Sequence, residues 1–269
     1  MFFNHPRLRH VSLKLERAKV HATQLNDVVK AYIALNPYQV DTRRDPESRK
    51  LIYFVSSVLP PPDELPLLIG DAIQNLSTSL DLLAYQIVCN DTHDAPPKAH
   101  GIYFPISDDQ KQYEASKVKK LLGATPHTVA CFDAIKPYRE GNENLWRLNR
   151  LNNIEKHRLL LTVGSQAAGI HLGQLMSSLL SGAALGNMAT TMEGMNLYLN
   201  PADKGFPLQQ GFELYIGQVD EQPNPKQQFR FELVFNEFGV AESLNVVETV
   251  SALVAEVETV VSRLAPLIQ

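Results

Sequence analysis

The residue types able to do chemistry in this chain concentrate between positions 142 and 163, a stretch with helical spacing of its apolar residues. At about 100° per residue, Trp146, Arg150, Asn153 and His157 fall within roughly 60° of one another, one narrow stripe along three turns. Leu148, Leu151, Ile154 and Leu159 occupy a different arc. Solvated helix faces favour Glu and Lys, so a row of indole, guanidinium, carboxamide and imidazole predicts an enclosed polar surface. There His157 serves as acid or base, and Arg150 as a clamp on negative charge. The competing reading is a satisfied polar network that fixes how helices pack. Lys156 and Arg158 add positive charge beside the same row.

A second polar row lies on the helical segment 64–89. Asp71, Gln74, Asn75, Thr78, Asp81 and Tyr85 share one side, opposite Ile73, Leu76, Leu80, Leu83 and Ile87. If the two rows face each other, Asp71 or Asp81 can pair with Arg150 and orient His157. Burying such charges requires partners, because an isolated buried ion costs several kcal/mol.

Arg150, six residues, then His157 in a late helix of a bundle resembles the Arg-x(4–6)-His signature of HEPN domains. That resemblance implies a helical bundle that dimerises and brings two Arg/His pairs into one cleft. It also implies metal-independent endoribonuclease activity or RNA binding in a defence or toxin setting, with attack by the ribose 2′-hydroxyl. On that reading Arg150 and His157 carry the chemistry, Asn153 orients the histidine, and Trp146 stacks a base. Lys156, Arg158, Asp71 and Asp81 are the substrate-contacting candidates. The blocks 70–83, 104–106 and 148–158 are also similar to recurring blocks of bacterial and phage-borne proteins. An arginine commonly stands there at the position of Ser77. The rival function is a catalytically silent structural or partner-binding bundle that uses the same residues as internal glue.

Other chemistries find little support. His5, His10 and His21 cluster early, and His93 and His100 share a loop, but none stands at ligand spacing with Cys or Glu. No metal and no cofactor is therefore expected. Phosphate-cradling glycine motifs and a Gly-x-Ser-x-Gly elbow are missing. Cys89 and Cys131 sit in apolar helical contexts, which argues against a secreted disulfide scaffold and for a reducing, cytoplasmic setting. No run of eighteen apolar residues occurs, so no membrane partner is expected. Net charge is −4, which gives no global pull toward phosphate backbones, yet residues 1–30 hold six Lys or Arg against two acids.

The elements that must position these groups follow from periodicity. Apolar steps of three and four predict helices over 6–35, 64–89, 108–122, 126–135, 142–163 and 244–264. Strands are predicted at 51–58, 212–216 and 229–235, the last two as a hairpin with the first as a third strand. Residues 41–50 read as a charged loop, and 165–200 as ambiguous between helix and strand. The expected fold is α+β: one domain over 1–269, with a bundle of four or more helices and a small antiparallel sheet on one side. The valine stripe of 244–264 is expected to bury against the first helix, and two long terminal helices predict a homodimer.

Overall fold

The computed structural model describes residues 5–157, 161–180, 197–201 and 204–268. The fold is α+β, with seven α-helices and two three-stranded antiparallel sheets among the described residues. The chain divides into two compact units. One comprises Met1–Val28, Asp63–Thr162 and Asn236–Gln269, and the other Val29–Pro62 and Val163–Phe235.

The first unit is helical. After a 3-10 turn at Pro6–Leu8 come α1 (Arg9–Ala34), α2 (Glu64–Asp91), α3 (Gln110–Lys120), α4 (Pro126–Asp133), α5 (Glu143–His157) and α7 (Val246–Leu264). The end of α1 runs into the second unit. Local chemistry starts these helices. Asp109 accepts from the backbone of Gln112, Thr125 from that of Thr128 with Pro126 behind it, and Asn245 from Val247 and Glu248. α2 buries Leu65, Ile69, Ile73, Leu76, Leu80, Leu83 and Ile87, and so presents one apolar edge along its whole length. α2, α5 and α7 pack on one another. The valine stripe of α7 (Val246, Val250, Leu253, Val257, Val260, Leu264) is fully used in that core. Its main partners are thus α2 and α5 instead of the first helix.

The second unit holds β1 (Tyr38–Arg44), β2 (Lys50–Val58), β3 (Val163–His171), β4 (Tyr198–Leu199), β5 (Glu213–Val219) and β6 (Phe229–Phe235), with α6 (Leu172–Leu180) after β3. The sheet orders are β1-β2-β5 and β4-β3-β6. Leu51, Tyr53, Val55, Ala167, Leu208 and Leu214 form its core.

Three sequence expectations change here, and one open reading is resolved in part. The strands at 213–219 and 229–235 do not form a hairpin: β5 pairs with β2, and β6 pairs with β3 from Val163↔Phe235 to Ile170↔Phe229. The intervening segment is held elsewhere, for the backbone N–H of Asn224 donates to Tyr53 Oη at 2.7 Å. The helix expected over 142–163 ends by His157, and Val163 already opens β3. β3 resisted reading because its glycines serve packing: a Cβ at Gly164 would lie 2.7 Å from the ring of Phe206, and one at Gly169 2.8 Å from Tyr198. Finally, the first four residues of the supposed loop at 41–50 belong to β1, an edge strand that alternates half-buried Tyr38, Val40 and Thr42 with exposed residues.

Candidate functional site

The first unit organises the polar row of α5 into two settings. On the outer side, Arg150 and Asn153 are exposed one turn apart, with Lys156 exposed beyond them. Arg150 Nη1 lies 3.7 Å from Asp108 Oδ1, and the two side chains are 45% and 49% exposed. At that distance and exposure the attraction is Coulombic and screened, about 0–1 kcal/mol, so Asp108 restrains the guanidinium without saturating its donors.

Asp108 is itself held. Trp146 Nε1 donates to the same carboxylate oxygen at 3.0 Å. The indole is buried, and the guanidinium of Arg139 lies over it, 4.7 Å from the ring centroid. Such a cation–π contact contributes about 0.5–1 kcal/mol at an exposed site. The loop carrying Arg139 is tied to the one carrying Asp108: Ser107 N donates to Pro137 O at 3.1 Å, and Arg139 N to Asp108 O at 3.4 Å. The planar surface offered to solvent is accordingly the exposed Arg139 guanidinium, and Trp146 supports it from inside. Direct stacking of a base on the tryptophan, expected from the sequence, has no open ring to use.

On the inner side α5 meets α2. The buried polar residue there is Asn152, one position before the expected Asn153, and its Nδ2 donates to Ser77 Oγ at 2.9 Å. Its Oδ1 has no hydrogen-bond partner among the described residues. One turn on, Glu155 lies against Gly70, and its Oε2 is buried without a partner among the described residues. Burial pushes its carboxyl above the ordinary glutamate range, and the charge of Asp71 adds to that shift. Asp71 itself is exposed on α2.

Asp81 is half-buried and accepts from the Phe104 backbone N–H at 3.0 Å. Burial raises its pKa, against the lowering influence of that hydrogen bond and of the Lys156 and Lys120 charges. Lys120 responds in the opposite direction: burial depresses its pKa while Asp81 works to raise it, and its Nζ donates to Ile106 O at 3.2 Å. The carboxylate paired with Arg150 is therefore Asp108, whereas Asp81 engages Phe104 and the two lysines.

The side chain of His157 and the whole of Arg158 lie outside the described residues. Sequence reasoning overlooked Asp108, Arg139, Asn152, Glu155 and Lys120. Asp108 and Arg139 sit in short connecting segments with no periodicity to mark them, and only the folded chain joins them to Trp146 and Arg150. Among the described residues no group of three or more His, Cys, Asp or Glu could hold a metal ion. Likewise no described helix is long and apolar enough to cross a membrane. Comparison of the chain with protein-family models, with curated proteins and with solved structures found no significant match in any of the three.

Proposed function

We propose that the outer face of α5 is an RNA-binding surface of HEPN type, with Arg150 and His157 as the pair that carries cleavage when two copies of the chain assemble. The observation behind this reading is the exposure of Arg150 and Asn153 on one face, with a guanidinium whose carboxylate neighbour stands at 3.7 Å. A phosphate oxygen offers that guanidinium a shorter, charge-assisted and bidentate partner than Asp108 does. Lys156 extends the positive track along the helix, and Arg139 supplies a flat cationic plane of the kind on which bases stack. Asn153 stands one turn before His157 and orients it.

A ribonuclease of this kind acts without a metal and within a homodimer, in a cell's own cytoplasm as part of defence or toxicity. The test is fluorescence anisotropy with a short labelled oligouridylate, alongside cleavage assays in chelator. Arg150→Ala should weaken RNA binding about tenfold and abolish cleavage, while His157→Ala removes cleavage and keeps binding. Wild-type protein that neither binds nor cuts RNA sinks the reading.

A second reading is favoured by the Trp146–Asp108 and Asn152–Ser77 hydrogen bonds, which join separate segments of the unit. There the row is structural and the chain a partner-binding bundle. Arg150→Ala would then lower the melting temperature and change nothing else.

A further inference from the structure

On the opposite flank of α2, between α1 and α2, lies an open groove of about 390 Å³ lined by His10, Leu13, Lys14, Arg17, Asn75 and Leu82. Its floor and its rim differ in chemistry. The floor is aliphatic: Leu13 is 56% exposed, and Leu82 is half-buried beside it. The rim is basic. Among the described residues Arg17 and His10 have no side-chain hydrogen bond or ion pair, and Lys14 Nζ reaches the neutral Asn75 Oδ1 at 3.1 Å. Two cations near the groove are neutralised, Arg7 by Asp94 at 2.6 Å and Lys19 by Glu258 at 2.5 Å. The groove therefore keeps two cations, Lys14 and Arg17, without an ion pair among the described residues, over exposed leucine.

We propose that this groove docks an amphipathic, acidic α-helix of a partner protein. Three features choose that occupant. Positions 10, 14 and 17 follow the i, i+4, i+7 spacing of one helix face, so the imidazole of His10 and the two cations Lys14 and Arg17 extend over about 10 Å along the axis at 1.5 Å per residue. A single carboxylate or phosphate is too small to meet all three, whereas carboxylates one and two turns apart on a facing helix match that span. Two adjacent helix surfaces form the standard seat for a third helix, whose leucine ridge would cover Leu13 and Leu82. The floor has no aromatic ring on which a base could stack, which disfavours nucleic acid as the natural occupant. This surface is separate from the α5 face and does not depend on its function.

The experiment uses the full-length chain and a fluorescein-labelled helical peptide of about 20 residues, with leucines on one ridge and glutamates at i, i+4 and i+7 along its edge. A second peptide carries lysine at each glutamate position. Anisotropy should show saturable binding of the acidic peptide, with the lysine version at least about tenfold weaker and binding reduced by added salt. Arg17→Glu and Leu13→Ser, both at exposed positions, should each cost about tenfold while the far-ultraviolet circular dichroism stays unchanged. The Arg150→Ala variant should bind the peptide as the wild type does. Failure of the acidic peptide to bind, equal binding of both peptides, or insensitivity to Arg17→Glu overturns the proposal. So does displacement of the bound peptide by oligouridylate through Arg17, which would make the groove a nucleic-acid surface.

Discussion

Trp146 shows how one buried side chain can prepare an exposed one. Its indole N–H fixes Asp108, its ring carries Arg139, and Asp108 in turn limits where Arg150 can go. Trp146→Phe keeps most of the buried area and removes the hydrogen bond, so a loss of about 1–2 kcal/mol in urea-denaturation stability is expected. Because Asp108 is then freer to close on Arg150, RNA affinity should fall as well, even though the substituted ring would itself touch no RNA. Glu155 offers a second test, by pH. Its pKa is raised in the folded chain, first by burial, so the ionised form is the one the fold disfavours. That cost is fully present above the raised value and disappears as pH falls below the ordinary glutamate range, about 4.3. Glu155→Gln should therefore melt higher than wild type near pH 7, with the gap closing toward about pH 4. A gap that widens on acidification would contradict the assignment.

At the scale of the element, α2 and α5 meet through a contact that neither helix announces alone. A glycine inside a helix usually costs about 0.5–1 kcal/mol relative to alanine. At Gly70 the missing Cβ makes room instead, for it would stand 2.7 Å from Glu155 Oε1. Gly70→Ala should thus gain less stability in the wild-type background, where the Glu155 carboxylate must swing aside, than when combined with Glu155→Ala. The double-mutant cycle should return a coupling of at least about 1 kcal/mol. The helices themselves were legible, since α2, α5 and α7 each bury residues at steps of three and four. What could not be read was phase to within one residue on α5: Asn152 and Asn153 are the same amino acid in sequence, and packing on Ser77 decides which one is inside. Strand pairing was hidden for a related reason. β3 is rich in glycine, alanine and serine, so it lacks the aromatic alternation of its partner β6, and without β3 the strand at 229–235 had only 212–216 to pair with.

Across the whole molecule, charge gives a different answer from charge placement. A net charge of −4 argues against nucleic acid as a partner, whereas the exposed cations of α5 and those of α1 lie on surfaces where acids are few or loosely engaged. The α+β class was legible because periods of 3.6 and 2 both occur in long stretches. The candidate site was legible only as a row on one helix, since its remaining members arrive from loops that contact α5 in the folded chain. The account's central claim is that RNA lies along the outer face of α5. Ultraviolet crosslinking of the full chain to 4-thiouridine RNA, followed by mass spectrometry of the crosslinked peptides, tests it most directly. Crosslinks should concentrate in Glu143–His157 and in the loop bearing Arg139, and should be lost in Arg150→Ala. Crosslinks confined to α1, or none above a denatured control, would contradict it.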